Sequence, residues 1–579
     1  MISSIISLVF GQAEILRHDV YLIQKLNSKG REKLPTMKAI CILLPTRENI
    51  ELLANELKDP NYKEYHIAFL PGLRPGDLED LAGDDVKEAV VSVKEIFCAL
   101  HPVTPTMFTT LPTEIRTVAS ATTGMTAEGY YSIPLHLSTG RIPDVFFDTY
   151  MSWVRTIVSS LLCQYLRPSS IRYLKSSNIC RQLADGVVTH LRDNESLYHG
   201  RQFRPATVLI IDRREDPVSP LLFAWTYGSM MHELFGLEEQ MSLVVKSGRF
   251  APEPGQQPEV FSPVYDQFFH DNIDSDLGML CERMQQLSQE YQARHAEQKS
   301  RKVESMQDMM QFLDDYPEFR KIGSGVAKHV ETIDALTHQI ENRGMYDLSE
   351  LEQELACANS HSDAVKRVEE ALNDTRYHAE DKLKLVLLYA LRYETERGNR
   401  IAQFKDRLQT IIPEKVNLID DMLMFAGTRC RTLDLFQNKT MSSAFKQKLA
   451  SVFKGVENVL TRHVPLVADL ATQIVENSLD PSHFDTIHTP PSQSLQRASA
   501  SSSASASSSS TPSSLVPSDA ALQNIVIFVV GGITYEEAAS FGKLLTRGVR
   551  VFLGGSTVLN SKKFLKIVSE AANVSRRFG

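Results

Sequence analysis

The sequence predicts an α/β protein with a large helical region, on three observations. Short apolar runs suited to buried strands alternate with helix-like stretches over the first hundred residues and again from residue 524 onward, the pattern of parallel sheets. Residues 208–236, VLIIDRREDPVSPLLFAWTYGSMMHELFG, read as a strand, a turn at Asp216-Pro217 and a helix. Residues 275–410 instead carry long amphipathic stripes.

In chain order, Ile5 to Phe10, Ala39 to Leu44 and His66 to Leu70 read as strands, and Thr46 to Leu57 as a helix opened by Thr46. In DVKEAVVSVKEIF, residues Val86, Val90, Val93 and Phe97 follow a three-four spacing, which predicts a helix packed on the sheet. Phe146 to Leu166 and Ile179 to Leu191 are helical runs ahead of the strand at 208. Further on, Leu277, Leu280, Met284, Leu287 and Tyr291 share one helical face, as do Val326, Val330, Ile333, Leu336 and Ile340. Pro317 interrupts the pattern between them; proline in a helix costs roughly 3 kcal/mol, so a bend or reversal is expected there, either a plain helix end or a mobile hairpin tip. Residues 488–518 turn to Ser, Ala and Pro, with too few apolar groups to offset the entropy of ordering, and are expected to be a disordered insert. Residues 524–545 and 549–568 then each read as strand, Gly-Gly turn and helix.

Composition narrows the function. The 579 residues are 42% hydrophobic and 23% charged, with 62 basic against 71 acidic side chains and a net charge of −9. That balance lacks the basic excess of a nucleic-acid binder, so no nucleic acid is expected as partner. Seven scattered cysteines without a CxxC pair point to a reducing compartment and no structural metal. The opening MISSIISLVF lacks a basic leader and is too short to span a bilayer, so the chain is expected in the cytoplasm, with membrane contact only through partners.

Catalytic motifs are mostly wanting. There is no GxGxxG, GxxxxGK[ST] or GxSxG, and His232-Glu233 lacks the second histidine of HExxH because residue 236 is Gly. Gly531-Gly532 and Gly554-Gly555 follow strands, where a tight turn explains them with less than a phosphate would. Asp212, Arg213, Arg214, Glu215 and Asp216 leave two readings: an acid pair for proton transfer or a divalent cation, or carboxylate–guanidinium pairing and turn capping, since Asp before Pro initiates turns and Arg grips carboxylates in a fork. No cofactor is expected.

The same residues resemble the signature of the SM family of syntaxin-binding proteins. It stands here as Ile211-Asp212-Arg213, Asp216-Pro217, Ser219-Pro220-Leu221-Leu222, Trp225-Thr226-Tyr227 and Met231-His232-Glu233-Leu234. Further along, FLDDYPEFRKIGSGVAKHV, LEQELACANSHSDAV, LVLLYALRYE, KGVENVLTRHVPLV and VIFVVGGITYEEA are similar to the family's endosomal branch. The resemblance implies a three-domain, arch-shaped fold with Rossmann-like parallel sheets in domains 1 and 2 and a helical arm in domain 3. Its domains would be 1–100 for domain 1, 101–231 and 451–579 for a split domain 2, and 232–450 for domain 3, with a hairpin near 300–330. The family pattern places a further helix and core strand ahead of the residue aligned with Met1, so domain 1 is expected either truncated or cut short by a late start in the gene model.

In function, the resemblance implies a regulator that binds a syntaxin-type SNARE and the assembled SNARE complex on the endosomal and trans-Golgi route. It further implies a monomer without enzymatic activity and a Rab effector of the rabenosyn type as an additional partner. Leu78, Val90 and Val93 would line a pocket for the syntaxin N-terminal peptide, and Pro317 would be the hinge of the SNARE-templating hairpin. Asp212, Arg213, Asp216, Pro217, Trp225 and Tyr227 would be structural. Two alternatives stay open: another branch of the family, and an enzyme with Rossmann-like domains acting at the Asp212 to Asp216 turn.

Overall fold

Alternating apolar strands and capped helices build a small parallel sheet and a larger, mainly parallel one. The structure, a computed structural model, describes residues 12–110, 144–198, 202–237, 242–243, 259–261, 263, 266–294, 324–357, 360–433, 435–436, 462–489 and 523–578. The expected strand at Ile5 to Phe10 and the hinge residue Pro317 lie outside them.

The smaller sheet has the order β1 (Leu34–Leu43), β2 (Tyr62–Phe69) and β3 (Val90–Glu95), all parallel. Helix α1 (Arg47–Lys58) starts where expected, because Thr46 accepts the Asn49 N–H at 3.2 Å. With α2 (Pro75–Asp84) it covers a core of Leu43, Leu53, Leu57, Tyr65, Ile67, Phe69 and Leu81.

The helix predicted over Val86 to Phe97 is a correction: residues 90–95 are the edge strand β3. The Asp85 carboxylate takes the N–H groups of Ala89 and Val90 (2.9 and 3.0 Å), and Glu88 sits in the left-handed region at φ 51°. A local turn therefore stops any helix, and the β-branched Val90, Val91 and Val93 favour the strand. Three-four spacing over so short a run fits either structure, and pairing with β2 decides between them.

The larger sheet has seven strands: β4 (His101–Thr104), β5 (Met107–Thr109), β6 (Leu166–Leu174), β7 (Arg204–Asp212), β8 (Phe484–His488), β9 (Gln523–Val530) and β10 (Val549–Gly555). Their order is β8-β6-β7-β9-β10-β5-β4; the five central strands are parallel, and β8 and β4 close the edges antiparallel. Central position explains the continuous apolar runs: Val208 to Ile211 and Ile525 to Val530 are all buried. Helices α3 (Asp144–Cys163) and α4 (Asn178–Asp193) flank this sheet; α3 ends before Leu166 because Tyr165, at φ 53°, turns the chain into β6. His488, expected in the disordered insert, is the last residue of β8, paired with Ser170.

Between β7 and β9 the chain forms helices: α5 (Tyr227–Leu234), α6 (Gln267–Asn272), α7 (Leu277–Arg294), α8 (Ser324–Asn342), α9 (Met345–Cys357), α10 (His361–Asn373), α11 (Ala379–Tyr393), α12 (Ile401–Ile411), α13 (Leu418–Ala426) and α14 (Leu466–Val475). Every residue of α11 from Asp381 to Tyr393 is buried, so its charges are paired. Asp381 accepts from Arg343 at 2.7 Å, Lys384 lies 3.1 Å from Glu352, and the Lys382 ammonium donates to the Leu372 carbonyl at 3.1 Å.

After β9 come the short helices α15 (Tyr535–Ala539) and α16 (Gly542–Leu545), and after β10 the C-terminal α17 (Ser561–Phe578). Gly531 and Gly532 form the expected turn at φ 98° and 104°. Gly554 and Gly555 instead complete β10: Gly554 pairs with Phe108, and a Cβ there would lie 2.2 Å from that ring. A Cβ on Gly532 would meet Leu559 at 2.7 Å. Gly532→Ala should therefore cost about 1–3 kcal/mol in urea denaturation, from backbone strain plus the clash. Gly542→Ala, with nothing within 4 Å and no positive φ, should leave stability level or slightly raised.

Candidate functional site

The turn after β7 directs its charged side chains inward. Asp212 is 6% exposed, Arg213 and Glu215 1%, and Asp216 2%. Asp212 caps the turn by accepting the Arg214 N–H (3.1 Å), the Ser177 hydroxyl (2.9 Å) and the Arg214 Nε (3.0 Å). Burial works to raise its pKa, but the Arg214 charge and these donors outweigh it and hold the carboxyl below its ordinary value.

Arg213 reaches across the sheet. Its Nε and Nη2 donate to the Gly532 carbonyl (3.1 and 2.8 Å), Nη1 to the Asp216 carbonyl (3.1 Å), and Nη2 also to both oxygens of Glu537 (2.7 and 2.8 Å). Glu537 is itself fully buried and takes the Thr534 N–H in a capping box that starts α15.

Glu215 binds the 432–433 segment, taking the N–H groups of Thr432 and Leu433 at 2.9 and 3.0 Å. Asp216 accepts the Val218 and Ser219 N–H groups, the Ser219 hydroxyl at 2.6 Å and the Leu466 N–H at 3.1 Å, ahead of a buried Pro217. These carboxylates are buried and committed to protein donors, the arrangement of turn capping and ion pairing. Among the described residues, no group of three or more His, Cys, Asp or Glu side chains could hold a metal ion.

The rest of the signature anchors the helices. Trp225 donates through Nε1 to Ser349 (2.9 Å) and stacks on Tyr346 at 4.9 Å, while the Phe223 N–H is taken by Glu352 at 2.7 Å. The Tyr227 hydroxyl meets His329 Nδ1 at 2.8 Å, and His329 Nε2 meets Asp266 at 2.8 Å, with Lys328 beside that carboxylate. Burial pushes His329 below its ordinary pKa, so the neutral ring accepts from Tyr227 and donates to Asp266. His232 is buried edge-on to Tyr535, and burial, followed by the Lys563 charge, lowers it to about 4. Neighbouring Glu233 takes the Ser561 N–H at the start of α17. Serine, tyrosine and histidine partners more than a hundred residues away could not have been named from the motif, which carries no signal for them.

The pocket residues from the small sheet are differently disposed. Val90 and Val93 flank a bulge at Val91: Val90 pairs with Tyr65, Ser92 with His66, and Val93 with Ile67. The bulge returns Val90 and Val93 to the face that carries Tyr65 and Ile67. Val90 is half-buried against the small core, whereas Val93 is 42% exposed at the sheet edge. Leu78 lies one turn before the buried Leu81 on α2 and is 40% exposed. Val91 and Ile96 add exposed apolar surface that helical spacing did not single out.

The turn thus ties neighbouring strands of the large sheet to the helical segment inserted between them, while the small sheet keeps an exposed apolar edge. The chain belongs to the Sec1 family, which it matches over residues 1–567. It is similar to vacuolar protein sorting-associated protein 45 of Dictyostelium discoideum, at 31% identity over 98% of this chain and 91% of that protein. It is equally similar to the Arabidopsis thaliana homolog, at 31% over 99% and 93%. Among solved structures, the SM protein Vps45 in complex with the Qa SNARE Tlg2 superposes with a TM-score of 0.78 at 31% identity, covering 99% of this chain and 93% of that one.

Arg213→Ala should cost about 3–5 kcal/mol in chemical denaturation, because it strands the Glu537 charge in the interior. Replacing both Arg213 and Glu537 by Met should recover much of that loss. For pH, His232 has a folded pKa below its unfolded value, so the unfolded chain takes up the proton first and stability is lost as pH falls through about 6.5. Between pH 7.5 and 5 this amounts to about 2 kcal/mol, and His232→Phe should remove that part of the slope in pH-dependent urea titrations.

Proposed function

We propose that the chain binds a syntaxin-type Qa SNARE and templates SNARE complex assembly on the endosomal and Golgi route, held at those membranes by its partners. The observation that carries this reading is the end-to-end likeness to Vps45 in complex with the Qa SNARE Tlg2. Among the described residues no helix is long and apolar enough to cross a membrane, in keeping with recruitment by partners. The work is done by binding energy and needs no catalytic group. SNARE helices are costly to order alone, and a scaffold that holds two of them aligned removes part of that entropy and raises their effective concentration.

Three domains follow from the same reading: 1–100, 101–231 with 451–579, and 232–450. The seven-stranded sheet supports the split second domain, since its strands come from 101–212 and 484–555. The N-terminal peptide of the SNARE would sit on the small sheet against Leu78 and Val93, with Val90 forming the floor. Their exposures support this division: the first two face solvent and Val90 packs on the core. The segment around Pro317 would receive the SNARE helices, at the root formed by α8.

Val93→Arg should lower the affinity for a Qa SNARE N-terminal peptide by about tenfold or more in calorimetry, with thermal unfolding unchanged because the side chain is already solvent-facing. Unchanged affinity would remove Val93 from the pocket, and loss of binding to the whole SNARE in pull-downs of the unmodified chain with every syntaxin tested would remove the function itself.

A further inference from the structure

The connector between β3 and β4, residues 96–100, leads from the small sheet to the large one along one face of α3. Thr156 donates its hydroxyl to the Ala99 carbonyl (2.8 Å), the Ala99 N–H donates to Ser159 (2.9 Å), and the Cys163 sulfur lies 3.7 Å from the Phe97 carbonyl. Residues 156, 159 and 163 share that face. Cys98 lies between the two pinned residues, next to the Phe97 carbonyl that the Cys163 sulfhydryl faces. Cys163 is exposed and Cys98 half-buried, so a small solute reaches the pair.

We propose that Cys98 and Cys163 are an oxidisable dithiol, a modification site where a peroxide joins the two sulfurs in an intramolecular disulfide that staples the connector to α3. The roles of the two thiols differ. Interaction with Cys163 draws the Cys98 thiol down to about 7, while interaction with Cys98, followed by burial, pushes Cys163 up. Burial raises each of the other five cysteines, to about 11 at Cys41, and Cys180 is fully enclosed. Cys98 is therefore the more readily ionised of the two and the attacking group.

The Cys98 thiolate attacks one peroxide oxygen; the O–O bond breaks, Cys98 becomes a sulfenic acid, and the departing hydroxide takes a proton to become water. The Cys163 sulfur then attacks the Cys98 sulfur, the S–O bond breaks, the Cys163 proton leaves with the hydroxyl as a second water, and the S–S bond forms. Two thiols lose two electrons, and the peroxide gains them.

The test treats the full chain with hydrogen peroxide and maps unreduced peptides by mass spectrometry. The expected result is a Cys98–Cys163 linked peptide, two hydrogens lighter than its parts, restored by dithiothreitol, with slowed amide exchange over 96–100. In Cys163→Ala, Cys98 should stop at a dimedone-trapped sulfenic acid, and the midpoint of its alkylation by iodoacetamide should move up from about 7. Cys98→Ser should abolish the linked peptide and leave Cys163 slow to alkylate. Absence of the linked peptide, indiscriminate pairing of Cys98 with other cysteines, or an unmoved alkylation midpoint in Cys163→Ala would each overturn the proposal.

Discussion

A single buried guanidinium holds the architecture together. Arg213 directly follows β7, Glu537 sits in α15, and the two are 324 residues apart in sequence yet bonded at 2.7 and 2.8 Å in the buried interior. Adjacent strands β7 and β9 are separated by the whole helical segment, so their pairing bears a long loop closure. The fork of Arg213 offsets that cost at the point where the chain leaves the sheet. It also fixes the Gly531-Gly532 turn, since a side chain on Gly531 would come within 2.9 Å of the Arg213 Cβ.

From that joint the polar network spreads in a consistent direction. Glu215 and Asp216 take the backbone of segments 432–433 and 466 as they return, and Trp225 and Tyr227 hand the chain to α9 and α8. The buried charges of the turn meet donors or acceptors from distant parts of the chain, which makes one arrangement far better than its competitors. Buried ion pairs add little net stability over apolar packing, so geometric specificity is the better account of their presence here. A rigid frame of this kind suits a protein that acts by holding partners in register. The surface proposed for the SNARE N-terminal peptide lies elsewhere, at the exposed edge of the small sheet.

Much of the fold was legible because it rests on local rules. Thr46 announced a helix start, Val208 to Ile211 a central strand, Asp216-Pro217 a turn, and the heptad-like spacing from Leu277 and from Val326 two long helices. The segment from Val86 to Phe97 misled, because its spacing satisfies a helix while Asp85 and Glu88 close a turn that only the three-dimensional chain reveals. Gly554 was likewise read as a turn residue although it makes room for the Phe108 ring of a neighbouring strand.

The sequence by itself determined the class of the protein: strand–helix alternation, an amphipathic middle and a long signature that resembles one family. These properties depend on periodicity and on residue order, which are written locally. The tertiary structure alone decided what each signature residue touches, which face Val90 and Val93 occupy after the Val91 bulge, and that Cys163 faces the connector beside Cys98. Such contacts join residues tens to hundreds of positions apart, and their free energy depends on burial and geometry that no local pattern encodes.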